Sequence, residues 1–368
     1  MKIAFLTRID AFDKNGGDTY QISMYKKYFE ANGHTALIIT ELDIPQDCDF
    51  YVLVNMDRPL ELIAYFHLLK RDGKLSKTLF LTIHHSYKAI DYFEKNVRKG
   101  KYRSILRFAT TFHEREKIKN IARAIKYKTL FPTLLSHSFI NYESKIKEII
   151  NEVRSLILIA EGEKNVIEND YDIKVKDFFI VKNGVDVNEN INSNFMARDI
   201  DVLVCGRIES RKNSLAVANY FKNTTYNVVF VGAINTNDKE YGESFVNVVN
   251  SCDNLTYLGR VDSELMPSIY LRSKIHLSAS WFEVASLVDL EAYAYGCHVI
   301  SSIHGHTYSY LGDRAIYLDP CVLNDLDSML NVFLKKQSNQ REQYSFISNN
   351  FTWERSQKTF FDALNKMA

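Results

Sequence analysis

A membrane-spanning run is missing from this 368-residue sequence: no apolar stretch approaches the roughly 20 residues that a helical span needs. The apolar residues after Lys2 are few, and Arg8, Asp10 and Asp13 follow at once, so no secretory leader is expected. Cysteine is scarce. Cys48, Cys205, Cys252, Cys297 and Cys321 are odd in number and form no CxxC pair. That argues against a disulfide framework or a cysteine zinc site, and for a reducing, cytoplasmic setting. An excess of charge of one sign is also missing. The net charge of +1 points to no polyanion partner for the molecule as a whole, nucleic acid included. No repeat of solenoid period and no low-complexity segment interrupts the chain.

What is present is globular: 46% hydrophobic and 25% charged residues, enough for two cores. Short apolar runs read as strands at 2–7, 36–40, 50–54, 78–82, 156–160 and 178–181, alternating with helical patterns at 19–32, 60–69, 138–153 and 161–170. The pattern restarts with strands at 201–205, 227–231, 255–258, 275–277, 299–301 and 315–318. Helices are expected at 214–221, 240–249, 284–295, 325–333, 340–349 and 352–366. Strand–helix alternation means parallel βαβ units. The expected class is α/β, with two Rossmann-like doubly wound domains facing across a cleft: residues 1–182, 183–350, and a closing helix 351–368 that returns toward the first. Ligands in such sheets bind at the carboxyl ends of strands.

Candidate residues follow strands directly. Gly16 and Gly17 stand between the first strand and first helix, where glycines and free N–H groups suit a phosphate. A flexible turn explains them equally well, and no third glycine completes GxGxxG. Gly206-Arg207 closes the strand 201–205, and Arg211-Lys212-Asn213 follows. Arg207 and Lys212 suit a diphosphate; an ordinary charged loop is the simpler alternative. Glu283 and Glu291 are separated by seven residues, the second placed two turns into an apolar helix where a carboxylate needs donors such as sugar or ribose hydroxyls. A capping glutamate plus a structural ion pair would also explain them. His84-His85 follows the strand 78–82 and could face a ligand, or be a loop histidine pair. No third ligand nearby makes a zinc site. Asp170-Tyr171-Asp172 and Asp199-Ile200-Asp201 resemble DxD but read as solvated acids, so no metal is expected.

Together these residues resemble the GT-B glycosyltransferases, most of all glycosyltransferase family 4. The motifs are "VCGRIESRKN" (204–213), "YLGRVDSELMPSIYLRSKIHLSAS" (257–280), "WFEVASLVDLEAYAYGCHVISS" (281–302), "VKNGVD" (181–186) and "FTWERSQKTF" (351–360). In the first half only "NGGD" and "TIHHSY" are similar. The resemblance implies a retaining transferase that moves a hexose-type sugar from a nucleotide-diphosphate sugar to a glycan or lipid-linked acceptor, in bacterial surface polysaccharide or glycoconjugate synthesis. It implies roles as well. Arg207 and Lys212 hold and stabilise the leaving diphosphate. Gly17, beside Gly16, offers its N–H, Glu291 bonds the ribose, Glu283 faces the sugar, and Ser286 and Leu287 line the donor site. His84 lies near the reacting centre, and Arg260 and Val261 flank the base. No cofactor or metal is implied. The family usually carries glycine where Ser286 stands, a Gly-Gly loop where His304-Gly305-His306 stands, and often Asp where His85 stands.

Between residues 95 and 128 twelve Lys and Arg face only Glu114 and Glu116, interleaved with Tyr102, Phe108 and Phe112. An anionic membrane surface or a phosphorylated acceptor would suit that segment, placing the protein peripherally on the inner face of the membrane. A charged, exposed helix pair would suit it as well. Two further functional classes stand beside the transferase: a GT-B nucleotide-sugar epimerase, for which no convincing acid–base set is visible, and a non-catalytic glycosyltransferase-like binding subunit.

Overall fold

Short apolar segments become parallel strands in two separate six-stranded sheets. The structure is a computed structural model that describes residues 1–13, 16–98, 109, 111–137, 140–187 and 198–368. Asn15, most of the basic run around Tyr102 and Phe108, the expected helix onset at 138–139 and most of the polar stretch 186–199 lie outside the described residues.

The first unit comprises Met1–Lys95, Lys99–Asn183 and Trp353–Ala368. Its strands are β1 (Lys2–Leu6), β2 (Thr35–Ile39), β3 (Phe50–Val54), β4 (Thr78–Leu81), β5 (Ser155–Leu158) and β6 (Phe178–Ile180), in the order β2-β1-β3-β4-β5-β6. All five residues of β3 are buried, as expected for a central parallel strand covered on both faces. Helices α1 (Gly17–Ala31), α2 (Pro59–Arg71), α3 (Tyr87–Tyr92), α4 (Phe112–Lys126), α5 (Phe131–His137), α6 (Tyr142–Glu152) and α7 (Glu161–Tyr171) connect them.

The second unit comprises Asn96–Arg98 and Gly184–Thr352. Strands β7 (Ile200–Cys205), β8 (Val228–Val231), β9 (Leu255–Tyr257), β10 (Ser273–Leu277), β11 (His298–Ser302) and β12 (Ala315–Leu318) run in the order β12-β11-β10-β7-β8-β9. Helices are α8 (Ser214–Phe221), α9 (Lys239–Asn250), α10 (Met266–Arg272), α11 (Leu287–Ala294), α12 (Tyr308–Leu311), α13 (Leu326–Leu334) and α14 (Gln340–Asn350). The two-residue alternation of a strand divides β7 between two cores. Val202 and Val204 join Phe221, Phe230, Phe245 and Leu330 on one face. Leu203 and Cys205 join Val229, Tyr270 and Ala292 on the other. The chain builds outward from β7 through β8 and β9, then returns to place β10 on its opposite side. The carboxyl ends of β7 and β10 are therefore the switch point where such sheets open a crevice.

The last helix, α15 (Trp353–Met367), belongs to the first unit. Phe360 packs against Tyr25, Phe29 and Phe5, with ring centroids 4.8, 5.8 and 6.1 Å apart. Trp353 meets Tyr20 edge-on at 5.4 Å. One boundary that bears on the site moves. The helix expected over 284–295 begins only at Leu287, so Glu291 sits one turn inside it rather than two. Apolar periodicity continued through Val284, but its carbonyl accepts from the His306 N–H at 2.9 Å, which holds it in a loop contact instead of a helical turn.

Candidate functional site

In the second unit, the loops leaving β7 and β10 meet at the switch point. The Trp281 N–H donates to the Arg211 carbonyl at 2.9 Å. That bond brings Lys212 onto Glu283, and the ammonium forms an ion pair with the carboxylate. Arg211 donates to the same carboxylate oxygen at 3.0 Å and to the Phe282 carbonyl at 3.2 Å. A second arm of its guanidinium reaches Glu209 at 3.0 Å. Burial disfavours the Arg211 cation, but Glu283 and Glu209 outweigh it and raise its pKa. Glu283 is held from its other side by the loop after β11: its N–H donates to the His304 carbonyl at 2.9 Å, and Gly305 packs against its Cβ. The carboxylate therefore has a fixed position, with only 13% of its side chain exposed.

Lys212 runs along Gly206; a Cβ on that glycine would lie 3.4 Å from the lysine Cε. Arg207, the next residue, is exposed and makes no ion pair among the described residues. Three residues beyond Glu283, Ser286 occupies the N-cap of α11 with its side chain bonded to nothing. A buried hydroxyl without a partner is costly, and this one sits at the N-terminus of α11, where the helix dipole creates a partial positive charge. Glu291, one turn on, accepts from the Tyr270 hydroxyl at 2.9 Å. Burial raises its pKa, and the Tyr270 hydrogen bond only partly offsets this. Arg260 is exposed and Val261 half-buried, both after β9 on the far side of β8 from β7.

Beneath this row lies a group the sequence reading did not single out. Asp289, fully buried, lies 3.0 Å from His276 Nε2 and accepts from Ser301 at 2.5 Å and Thr307 at 2.9 Å. It fastens the first turn of α11 to β10, β11 and the start of α12. A carboxylate inside an apolar helix was the available signal. It pointed to Glu291, although the more deeply buried acid is Asp289.

In the first unit, Gly16 is the extended N-cap of α1 and Gly17 opens the helix, exposed. Asp18 in the first turn is clasped by Arg8 at 2.8 Å and by Asn55 at 3.0 Å. Arg8 also pairs with Asp10 at 2.8 Å, which pairs in turn with Arg58 at 2.8 Å. The helix start is thus already provided with a carboxylate of its own.

His84 is fully buried between two acids: Nδ1 lies 3.1 Å from Asp57 and Nε2 2.9 Å from Asp170. Burial would lower its pKa, but Asp170 and Asp57 together raise it to about 9. Both nitrogens donate only in the protonated ring, so an imidazolium stands here. Asp57 also binds His85 at 2.6 Å; burial opposes its charge, yet hydrogen bonds from His84 and His85 hold it below the usual carboxylate range. The His84 N–H donates to Glu163 at 2.8 Å, as do Thr82 Oγ1 at 2.6 Å and the Ile159 N–H at 2.7 Å. Asp170 corrects an expectation. It is not a solvated acid but a bonded partner of His84 and of the Tyr87 N–H, at 2.8 Å. The 86-residue separation gave no sequence signal for that pairing. Among the described residues no three His, Cys, Asp or Glu side chains form a group that could hold a metal ion, and no helix is long and apolar enough to cross a membrane.

Residues 187–350 match the family described as Glycosyl transferases group 1. No curated protein matches the sequence. Among solved structures, the sucrose-phosphate synthase of Thermosynechococcus elongatus is similar over 100% of this chain and 99% of its own, with a TM-score of 0.71 and 12% identity. The lipopolysaccharide outer core galactosyltransferase WaaB, in its apo form, is similar over 100% of both chains, with a TM-score of 0.61 and 14% identity. HepE of Anabaena, solved with UDP and glucose, covers 100% of both chains at a TM-score of 0.57 and 14% identity. The architecture shared with them is GT-B.

Proposed function

We propose that this chain, whose residues 187–350 match glycosyl transferases group 1 within a GT-B architecture, transfers a hexose-type sugar, with retention of anomeric configuration, from a nucleotide-diphosphate sugar to a glycan or lipid-linked acceptor. The observation that carries the reading is the convergence at the β7/β10 switch point. Lys212 and Glu283 are paired there, Arg207 is exposed beside them, and the unpartnered Ser286 hydroxyl sits at the start of α11. Cations, free amides and an idle hydroxyl are what a diphosphate would satisfy.

In this reading Arg207, Lys212, Ser286 and the Leu287 N–H bind the diphosphate, and Glu291 takes the ribose hydroxyls. Glu283 orients the sugar, and Arg260 and Val261 border the base. The bond from the sugar C1 to the diphosphate oxygen breaks and a bond from C1 to the acceptor oxygen forms. The acceptor proton leaves with the departing diphosphate. Negative charge grows on that diphosphate, so fixed cations and amide dipoles lower the barrier without a metal. In the first unit, which serves the acceptor, Gly17 presents open backbone, while Gly16 lies against the Asp18 carboxylate. His84, buried between Asp57 and Asp170, acts as a charged strut for the loop after β4. The solved relatives with UDP and glucose, and with retention in trehalose-6-phosphate synthase, support the donor class and the stereochemistry. The lipopolysaccharide galactosyltransferase supports a place in bacterial surface glycan synthesis.

Titration calorimetry with UDP, GDP, dTDP and ADP tests the donor site. Binding of at least one, and release of free nucleotide diphosphate only when acceptor is present, is expected. Binding of none would leave a non-catalytic subunit, and release without acceptor would remove the transfer assignment. The anomeric proton coupling of the product reads out retention.

A further inference from the structure

Helix α4 turns large apolar side chains to water beside the exposed Glu114 and Lys126. Ile121 is 53% exposed and Ile125 72% exposed, one helical turn apart on one face. The next helix, α5, packs against α4 and repeats the arrangement, with Phe131 51% and Leu135 61% exposed. The buried side of α4 is mixed, with Arg115, Glu116 and Asn120 buried beside Phe112 and Ala124. Glu116 answers Lys119 at 3.0 Å and Arg123 at 2.7 Å, so those two cations are already satisfied.

Other cations here are not. Lys117 lies over the Tyr142 ring at 5.3 Å and Lys126 over the Tyr127 ring at 4.8 Å. Lys128 follows, exposed; none of the three forms a close ion pair among the described residues, although Tyr127, and then the nearby Asp13 and Asp10, raise the Lys126 pKa. Large exposed apolar side chains grouped on neighbouring helices mark an interaction surface rather than ordinary scatter. Unpaired lysines beside them select what covers it. An apolar protein partner would leave those ammonium groups to desolvate, whereas the headgroup layer of a bilayer takes apolar side chains inward and lysines at its rim.

We propose that α4 and α5 form a docking surface for an anionic lipid bilayer, with Ile121, Ile125, Phe131 and Leu135 entering the headgroup–acyl boundary and Lys117, Lys126 and Lys128 meeting anionic headgroups. The inference rests on the reading of a lipid-linked acceptor handled by the first unit. It narrows the basic segment of the sequence to two helices and adds the apolar residues that composition did not reveal.

Flotation with vesicles of phosphatidylcholine alone, or with phosphatidylglycerol added, tests it. The wild-type chain is expected to float with the anionic vesicles at least tenfold more strongly than with the neutral ones. The Ile121→Glu/Ile125→Glu variant should lose flotation. Lys126→Gln/Lys128→Gln, which changes only exposed side chains and keeps the fold testable, should weaken it about fivefold per lysine. Equal flotation with both vesicles, or none with either, overturns the proposal. So does a dimer in light scattering that Ile121→Glu/Ile125→Glu dissolves, since a second copy would then cover the face. The UDP, GDP, dTDP and ADP titrations separate this from the donor site: nucleotide binding without flotation rejects the docking surface alone, and flotation without nucleotide binding rejects the donor assignment alone.

Discussion

Gly232, at the end of β8, lies so close to the Gly206 carbonyl at the end of β7 that a Cβ on Gly232 would overlap it. The approach is backbone on backbone, and Gly232 holds a φ of +145° to make it. It sets the path of the chain into Arg207 and on to Lys212. Gly232→Ala should therefore cost about 3 kcal/mol or more, because no flexible side chain can give way. Gly259, at the end of β9, also has positive φ but open space around it, so Gly259→Ala should cost only about 1 kcal/mol. Denaturant unfolding of both variants checks the contrast; equal losses would contradict it.

Ser286→Ala removes a buried hydroxyl that bonds to nothing in the free protein. Stability should stay level or rise slightly. If the hydroxyl meets a diphosphate, affinity for the bound nucleotide diphosphate should fall about five- to tenfold, the value of one hydrogen bond. A melting curve with and without nucleotide reads both effects together. An unchanged nucleotide-induced shift would remove Ser286 from the site.

Arg207 and Lys212 should respond differently to truncation. Lys212→Ala deletes one partner of Glu283 but leaves Arg211 in place at 3.0 Å, so the main loss should be donor affinity, about 10-fold or more. Arg207 has no internal partner among the described residues, and Arg207→Ala should leave stability unchanged while lowering turnover most. Steady-state kinetics separates the two through KM and kcat. Wild-type turnover in Arg207→Ala would place the leaving group elsewhere. Glu291→Ala should raise KM for the donor, with Tyr270 left without its acceptor.

The His84 imidazolium makes stability depend on pH with a definite sign. Its folded pKa of about 9 exceeds the ordinary 6.5. Between those values the folded chain binds the proton that the unfolded chain has released. The stabilisation is full below pH 6.5 and is lost as pH rises through 9, of order 3 kcal/mol in total. His84→Gln, or Asp170→Asn where the first fails to fold, should flatten the fall in melting temperature between pH 6.5 and 9. An identical slope in wild type and variant would show that the ring is not held charged.

Much of this molecule could be read before any coordinates. Parallel strands buried on both faces appear as short apolar runs, so β1, β3, β4 and β7 were visible, and Gly206, Arg207, Lys212, Glu283 and Glu291 stood out by following strands or by interrupting an apolar helix. That information is local: side-chain polarity and the period of each element write it directly into neighbouring residues. Pairing at a distance is not written there. Only the folded chain sets Asp170 and Asp57 on the two nitrogens of His84, starts α11 at Leu287 so that Ser286 becomes its cap, sinks Asp289 below Glu291, and turns Ile121 and Ile125 outward. In each case the outcome depends on which distant groups compete for the same hydrogen bond or the same buried volume, and that competition is decided only when the elements pack.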